Sequence, residues 1–257
     1  MVFKLAKRYL QVDAGMLLVP DFSDADSFYR LIQDLIFYLP GYQPQLWTTS
    51  SDERSRYSLM ELRSLAQRGE TVLRWRRNAH PRAEGSISRR IQTPAGAEHA
   101  AHRLRISVKD DEQMGWLVSF LCYGAASDGI DFAWCDVAGF DCGNGASRNL
   151  LVQKENCIST QRISRGMPDL FWAQIFGKAY VDLFGLDKLL SSPAYQVEQL
   201  TPDAVYVQLT ESIFDVRDRP AEVHAGRQLV KRHLDENIFL DSSRPSTHVY
   251  RTPVFAF

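Results

Sequence analysis

The chain has 257 residues, of which 45% are hydrophobic and 24% charged, and its formal net charge is −1. These values are ordinary for a globular protein and exclude a largely disordered chain, and the length suits one large domain or two of average size. No uncharged apolar run approaches the ~20 residues that cross a bilayer, so a membrane protein is not expected. The four cysteines are too few for a disulfide scaffold, and the first ten residues lack the uncharged core of a secretory signal. We therefore expect a cytoplasmic protein.

Hydrophobic spacing predicts two helices in the first part of the chain. The first covers residues 24–39, where apolar side chains recur at three- and four-residue steps, with Ser23 or Asp24 as the cap and Pro40-Gly41 at the end. The second covers Ser58–Gln67, because Ser58 and Glu61 have the spacing of a capping box.

Short apolar segments predict strands up to residue 165. They are Thr71–Trp75, Ile87–Ile91, Leu104–Val108, Trp116–Tyr123, Ile130–Val137 and Leu150–Lys154. The stretch from Arg77 to Ala101 is otherwise rich in prolines, glycines and polar residues, which indicates a long loop. The turn signals Ser127-Asp128-Gly129 and Gly143-Asn144-Gly145 predict hairpins, so the later strands form an antiparallel meander.

The segment from Phe171 to Phe184 has the clearest pattern in the chain and predicts a helix. Asp169 is placed to cap its start and Gly185 its end, and its apolar stripe should face a core. A glycine inside a helix costs about 1 kcal/mol relative to alanine, so Gly177 predicts that another backbone or an aromatic ring approaches closely there.

The remaining elements complete an α+β pattern. They are a short helix at Asp187–Leu190, strands at Tyr195–Leu200 and Val205–Thr210 joined by the turn Thr201-Pro202-Asp203, a helix at Pro220–Leu234, and an extended tail at Thr247–Phe257. The predicted fold is mainly antiparallel sheet covered by helices. Two α+β halves, residues 1–165 and 166–257, should share an interface or form one continuous domain.

Known catalytic, metal and nucleotide motifs are missing from the sequence, which argues against the commoner enzyme classes, and we expect no cofactor and no bound metal. Cys135 or Cys142 with His99 or His102 could form a nucleophile and its base, but the strand context of Cys135 favours a core thiol. His224 and His233 are nine residues apart on a helix, which favours surface positions.

Charge is distributed unevenly along the chain. Residues 54–105 contain twelve arginines and four glutamates, and the cluster Arg74-Trp75-Arg76-Arg77 permits a nucleic-acid-binding adaptor as one alternative. Seven acidic residues lie in or near the predicted hairpins: Asp110, Asp111, Glu112, Asp128, Asp131, Asp136 and Asp141. They could hold a divalent metal in a nuclease or hydrolase, or they could mimic phosphates for a basic protein partner. Hairpin turns also favour aspartate for backbone reasons alone.

The segment from Phe171 to Gly185 resembles a signature of bacterial immunity proteins of polymorphic toxin systems, and most closely the family catalogued as immunity protein fifty-two. That pattern runs approximately Trp-Ala-Asn-Tyr-Phe-Gly-x-x-Tyr-Val-Glu-Leu-Phe-Gly, and here Gln174, Ile175 and Asp182 replace Asn, Tyr and Glu. Residues 205–211, 230–234 and 250–255 are also similar to the family. The resemblance covers residues 165–257 well and the first half loosely.

The resemblance implies a non-enzymatic antitoxin that binds a cognate toxin delivered by type VI secretion, with a restriction-endonuclease-like nuclease as the expected toxin. It implies a protein partner and no direct contact with nucleic acid or membrane. The signature residues should be scaffold: Trp172, Phe176, Gly177, Tyr180, Phe184 and Gly185. Because a DNA-cleaving toxin should have a basic groove, we predict that the seven acidic residues, Asp110 to Asp141, bind it.

Overall fold

The computed structural model describes residues 9–139 and 158–257, apart from residues 22–24, 50–53, 57, 59, 61–63, 65–66, 68–69, 95, 242 and 246. Its strands are β1 Leu10–Leu18, β2 Leu46–Thr48, β3 Arg54–Arg56, β4 Val72–Arg77, β5 Ala83–Ser88, β6 Ile91–Thr93, β7 Gly96–Glu98, β8 Ala100–Val108, β9 Ile130–Val137, β10 Ala173–Phe176, β11 Gln196–Thr201 and β12 Ala204–Gln208. Its α-helices are α1 Ala25–Tyr38, α2 Asp111–Ser127, α3 Thr160–Ile163, α4 Lys178–Phe184, α5 Leu186–Leu190, α6 Asp215–Asp218 and α7 Pro220–Leu234, and a 3-10 helix covers Glu236–Ile238.

Ten of these strands form one antiparallel sheet in the order β11-β12-β10-β9-β1-β8-β5-β4-β2-β3, and β6 pairs with β7 separately. The predicted α+β class is therefore confirmed. The sheet includes strands from both predicted halves, because β10 of the second half pairs with β9 of the first. No helix among the described residues is long and apolar enough to cross a membrane.

Helices cover the two faces of this sheet, and the alternation of strand side chains builds a core on each. On β12, Tyr206 contributes to the core under α1 and α2, while Val205 and Val207 contribute to the core under α4, α5 and α7. Successive side chains of a strand point to opposite faces, so a strand covered on both faces is buried throughout. All five residues of β12 are buried accordingly.

The centre of the sheet is β1, a strand that the sequence pattern did not predict. It lies between β8 and β9, and its carboxylate Asp13 accepts two hydrogen bonds from Arg105 on β8, at 2.6 and 3.0 Å. Its residues alternate between buried and more exposed from Leu10 to Ala14 and are all buried from Ala14 to Leu18, so the period-two pattern covers only half of the strand.

The predicted strand Trp116–Tyr123 is wrong, because these residues form the middle of helix α2. Asp110 caps that helix: its Oδ1 accepts a hydrogen bond from the Gln113 N–H at 3.1 Å. The segment Ser127-Asp128-Gly129 is the end of the helix and not a hairpin turn, since the Asp128 N–H donates to the Gly124 carbonyl at 3.0 Å. A short apolar run fits a strand and a helix equally well, and the Asp110 cap is the sequence feature that favours the helix.

The predicted helix Phe171–Phe184 is wrong in its first half. Residues Ala173–Phe176 form β10 between β9 and β12, and α4 begins only after Gly177. Asp169 is therefore not a helix cap. The end of the helix at Gly185 is confirmed, because this residue has a φ of 91° and donates its N–H to the Val181 carbonyl.

The long loop predicted between Arg77 and Ala101 is also wrong, because β5, β6 and β7 occupy most of it. Only Ala83 and Ile87 of β5 are buried, and the small and polar residues between them are half-buried, so the strand has no clear period-two pattern in the sequence. Of the predicted helix Ser58–Gln67, the described residues Met60, Ser64 and Gln67 are helical. The predicted strand Leu150–Lys154 and the turn Gly143-Asn144-Gly145 lie outside the described residues.

The predicted strand Ile87–Ile91 is wrong in its bounds, because β5 ends at Ser88 and β6 begins at Ile91. The remaining predicted elements are confirmed within four residues at each end. They correspond to α1, β4, β8, β9, α5, β11, β12 and α7, and the turn at Thr201-Pro202-Asp203 joins β11 to β12. The tail Thr247–Phe257 has no regular secondary structure, and Phe255 packs against the second core, as expected of an extended surface segment.

Candidate partner-binding groove

Three of the seven predicted acidic residues are buried and paired inside the fold. Asp128 accepts a hydrogen bond from Arg30 at 2.6 Å, Asp131 is bonded to His99 at 2.8 Å, and Asp136 accepts hydrogen bonds from Arg227 and from the Trp172 N–H. Burial raises the pKa of Asp136 to about 6, although Arg227 favours its ionised form. These three carboxylates hold elements together and are not part of the solvent-exposed surface.

Of the other four predicted acidic residues, three lie at the start of α2 and one lies outside the described residues. Asp110 is the cap of α2, Asp111 and Glu112 are exposed in its first turn, and Asp141 lies outside the described residues. Acidic side chains near the N-terminus of a helix also interact favourably with the helix dipole. In the described part of the chain, no group of three or more His, Cys, Asp or Glu side chains could hold a metal ion. The toxin-binding role of the set stays a prediction.

The histidine and cysteine predicted as a possible nucleophile and base are engaged in the core. Burial raises the pKa of the Cys135 thiol well above its ordinary value, so the thiol is protonated at neutral pH. His99 lies between Thr160 and Asp131, with Nδ1 2.8 Å from Thr160 Oγ1 and Nε2 2.8 Å from Asp131 Oδ2. Cys142 lies outside the described residues.

The Thr160–His99–Asp131 cluster has the order of a nucleophile, base and acid, but its buried surroundings indicate a structural role. All three side chains are buried, and the rings of Phe255 and Phe257 lie 4.8 Å from the His99 ring. The Thr160 hydroxyl also accepts the His99 backbone N–H at 2.8 Å. The hydroxyl therefore satisfies a buried backbone donor that would otherwise lack a partner.

The basic cluster on β4 is split by the alternation of the strand. Trp75 is buried, while Arg74 and Arg76 point to the exposed face, where Arg76 pairs with Glu84 at 3.1 Å. Arg77 donates to the carbonyl oxygens of Pro81 and His80. The cluster is thus a solvated strand face with local partners.

The signature residues lie in the core and beside an open groove. Phe176, Tyr180 and Phe184 belong to the second core, and a Cβ atom on Gly177 would lie 1.7 Å from the Ile130 carbonyl oxygen, which confirms the predicted close approach. Trp172 instead belongs to the first core and reaches the surface groove, where its indole Nε1 donates to Thr210 Oγ1 at 3.0 Å.

This groove, which we call the α2–β11 groove, has a volume of about 390 Å³ and lies between helix α2 and strands β11 and β12. The apolar side chains in its walls are Met114, Val118, Trp172 and Leu200, and the small residues of α2 are Gly115, Ser119 and Cys122. The polar side chains of the two strands are Gln196, Tyr206 and Gln208, and the three carboxylates are Asp111, Glu198 and Glu211. Among the described residues, no Lys, Arg or His nitrogen lies within 4.0 Å of these three carboxylates.

The strand side of the α2–β11 groove is fixed by a continuous hydrogen-bond network. The Tyr206 hydroxyl donates to Gln208 Oε1, and Gln208 Nε2 donates to the carbonyl oxygens of Thr210 and Glu211 at 2.7 and 3.2 Å. The Ser212 hydroxyl then donates to Asp111 Oδ1 at 2.6 Å, which joins this segment to the start of α2. Burial raises the pKa of the Tyr206 hydroxyl above its ordinary range, so it remains a donor.

Sequence reasoning missed Glu198, Glu211 and Ser119 as groove residues. One signal was available on β11, where Gln196, Glu198 and Leu200 alternate with residues of the opposite face and so share one side. A second signal was the run 113–127, which contains no charged residue although part of it is exposed. The residues of β11 and of the run 113–127 come together only because α2 is a helix, and the prediction of a strand at Trp116–Tyr123 concealed this.

Comparison with known proteins identifies a fold and no family. No known family model and no curated protein matches the sequence. The structure is similar to that of the Pseudomonas aeruginosa T6SS protein PA0821, with a TM-score of 0.56 and 12% identity over 95% of this chain and 79% of that one. The toxic C-terminal tip of CdiA from Pseudomonas aeruginosa in complex with its immune protein gives a TM-score of 0.32 and 9% identity over 51% of this chain and 88% of that one, too low to indicate a shared fold. At these identities the likeness to PA0821 concerns the fold alone.

Proposed function

We propose that this protein is an immunity protein that binds a cognate secreted toxin and neutralises it in the cytoplasm of the producing cell. The observation that carries the proposal is the likeness of the fold, over 95% of the chain, to a protein named as a T6SS protein, which supports a place in such a system. The sequence resemblance of residues 171–185 to immunity proteins of polymorphic toxin systems supports the same assignment independently.

The proposed mode of action is binding without catalysis. The candidate nucleophile Cys135 is buried and protonated, and the Thr160–His99–Asp131 cluster is covered by aromatic rings. A binding protein needs a complementary surface and no activated group. The α2–β11 groove offers such a surface, with an apolar floor and an acidic rim.

The toxin proposed as partner is a restriction-endonuclease-like nuclease of a type VI secretion system. A nuclease that grips DNA carries a basic surface, because phosphate contacts dominate affinity for nucleic acid. A protein with uncompensated surface carboxylates is suited to such a partner, since opposite charge speeds association and sets register.

The direct test is co-expression of this protein with the toxin encoded by the neighbouring gene. We expect the toxin alone to stop growth and the pair to grow normally, and we expect the two purified proteins to form a stable complex. A catalytically inactive toxin should still bind, which separates binding from activity. Equal growth arrest with and without this protein would overturn the proposal.

Two alternatives have their own readouts. A metal-dependent nuclease or hydrolase, the alternative that uses the Asp128–Asp141 acids, would show turnover of generic substrates by the purified protein that requires divalent cations and is lost when a chelator removes them. A nucleic-acid-binding adaptor would bind DNA with a steep salt dependence, lost in Arg74→Gln/Arg76→Gln. We expect neither turnover nor DNA binding.

A further inference from the structure

We propose that the α2–β11 groove receives an arginine or lysine side chain carried by a polypeptide segment of the toxin. This inference rests on the proposed function and names the part of the surface that performs it. It shares only Asp111 with the sequence-based prediction, which placed the toxin on the seven acidic residues between Asp110 and Asp141.

The first step of the argument is the charge of the groove. Asp111, Glu198 and Glu211 come from the start of α2, from β11 and from the segment after β12, and the fold brings them to one cavity. Within the described chain, the partners of these carboxylates are neutral hydrogen-bond donors. The Ser212 hydroxyl donates to Asp111 at 2.6 Å, and the Gln196 amide donates to Glu198 at 3.3 Å. Three uncompensated carboxylates around one cavity attract a cation.

The second step is that three buried carboxylates of this protein are paired with its own cations. Asp128 pairs with Arg30, Asp136 with Arg227, and Asp215 with Arg219 at 2.7 Å. The groove carboxylates differ from these because they have no internal counter-ion among the described residues. A cation from outside the chain is the complement that this arrangement lacks.

The third step is the floor, which fits the aliphatic stem of a long basic side chain. Met114, Val118 and Leu200 supply apolar contacts, and Trp172 lines the same cavity. Lys and Arg side chains bury their methylene stems against apolar surface while the charged end reaches polar groups, and an aromatic ring adds a cation–π attraction. A bare inorganic cation would gain nothing from this floor.

The fourth step concerns what carries the side chain. Strand β11 is the outermost strand at its end of the sheet, and in the described chain it pairs only with β12, so its other edge has free backbone N–H and C=O groups. The opposite wall is the uncharged face of α2, where Gly115 and Ser119 are exposed. An open groove with a free strand edge and a small-residue wall suits a polypeptide segment.

The fifth step is that the groove is rigid before the partner arrives. The network from Tyr206 through Gln208 to the Thr210 and Glu211 carbonyls, and from Ser212 to Asp111, fixes the segment that follows β12. A fixed site loses less conformational entropy on binding than a mobile one.

The decisive experiment measures toxin affinity for two matched pairs of charge-neutralising substitutions. The double variant Glu198→Gln/Glu211→Gln should raise Kd about tenfold or more and weaken the salt dependence of association. The control Glu222→Gln/Glu236→Gln removes two exposed carboxylates outside the groove and should leave Kd within about twofold. All four side chains are exposed, so the melting temperatures should stay close to that of the wild type.

A second pair of variants fills the groove without removing an acid. Ser119→Arg places a guanidinium inside the groove, where it competes with the partner's side chain, and should abolish tight binding. Ala126→Arg adds the same charge two turns later on α2, outside the groove, and should leave binding intact. Equal affinity of Ser119→Arg and Ala126→Arg would overturn the inference.

A third measurement does not depend on the toxin. Titration of the full-length protein with a short arginine-containing peptide, followed by NMR, should shift the amide signals of Val118, Ser119 and Glu198, and the peptide with citrulline in place of arginine should not.

If wild type binds the toxin but the groove variants bind equally well, the inference fails and the proposed function stands. If the peptide shifts these signals and no toxin is bound, the proposed function fails and the cation site stands. If the arginine peptide leaves the three signals unmoved, the inference fails.

Discussion

His102 on β8 is buried in the first core with neither ring nitrogen hydrogen-bonded in the described chain. Its ring packs edge-to-face on Phe120, with the ring centroids 5.5 Å apart. Burial lowers its pKa from 6.5 to about 3. A neutral imidazole can occupy this position, whereas an imidazolium would be an isolated charge in an apolar environment. The residue therefore links the stability of the fold to pH.

The sign of that linkage follows from the lowered pKa. Below pH 6.5 the unfolded chain protonates this histidine while the folded protein does not, so the folded state loses stability as pH falls from 6.5 towards 3. For this residue the loss is about 1.4 kcal/mol per pH unit. We expect urea denaturation of His102→Leu to lack this slope between pH 6 and pH 4. The exposed His224→Leu should follow the wild type, and parallel curves for wild type and His102→Leu would contradict the prediction.

Thr160 gives a second prediction at the scale of single residues. The variant Thr160→Val keeps the side-chain volume but leaves the buried His99 N–H and Nδ1 without their partner, so we expect a loss of about 1–3 kcal/mol. Thr160→Ser keeps the hydroxyl and should lose much less. Chemical denaturation measures both. An equal loss in the two variants would show that packing of the methyl group, and not the hydroxyl, stabilises this region.

At the scale of elements, the signature segment is a strand, a glycine and a short helix. Gly177 joins β10 to α4 and donates its N–H to the Asp131 carbonyl at 3.0 Å, which brings its Cα against the backbone of β9. The glycine is required by this contact and not by its φ, which is −83°. The close approach was visible in the sequence, and the change of element at the glycine was not.

The contact predicts a large difference between two glycine-to-alanine substitutions. In Gly177→Ala the new Cβ would lie 1.7 Å from the Ile130 carbonyl oxygen, so we expect a loss of at least about 3 kcal/mol or failure to fold. In Gly226→Ala, on α7, nothing lies within 4 Å of the new Cβ, and we expect a gain of about 1 kcal/mol. Thermal melts of the two variants provide the comparison, and a stable Gly177→Ala protein would show that β9 and β10 can separate at this point.

The two amphipathic helices α1 and α7 are among the elements that sequence reasoning identified. Helix α1 and helix α7 have apolar residues at helical spacing, and both were predicted within one residue of their observed bounds. The apolar residues of α2 extend beyond its buried side, so they carry no period that distinguishes helix from strand. Strand β1 alternates between buried and more exposed residues only from Leu10 to Ala14. The groove was missed for the same reason. Its acidic residues come together only when α2 packs as a helix beside β11 and β12.

At the scale of the whole molecule, the sheet runs through both predicted halves. Strand β9 pairs with β1 on one side and with β10 on the other, over residues 173–176. The second core also combines the halves, because Leu17, Phe132 and Trp134 pack with residues of α4 and α7. The division at residue 165 stays a prediction, and the pairing indicates how to test it.

We expect residues 166–257 not to fold alone. Without β9, strand β10 would become an edge with four apolar or neutral residues, all buried in the intact protein, exposed to water. The second core would lose the side chains that β1 and β9 contribute, while the ordering entropy of the fragment would stay the same. The isolated fragment should therefore show no cooperative thermal transition and should bind a hydrophobic dye, and co-expression with residues 1–165 should restore one sharp transition. A sharp melt of the fragment alone would establish two separable domains, and the α2–β11 groove would then lie between them and depend on their docking.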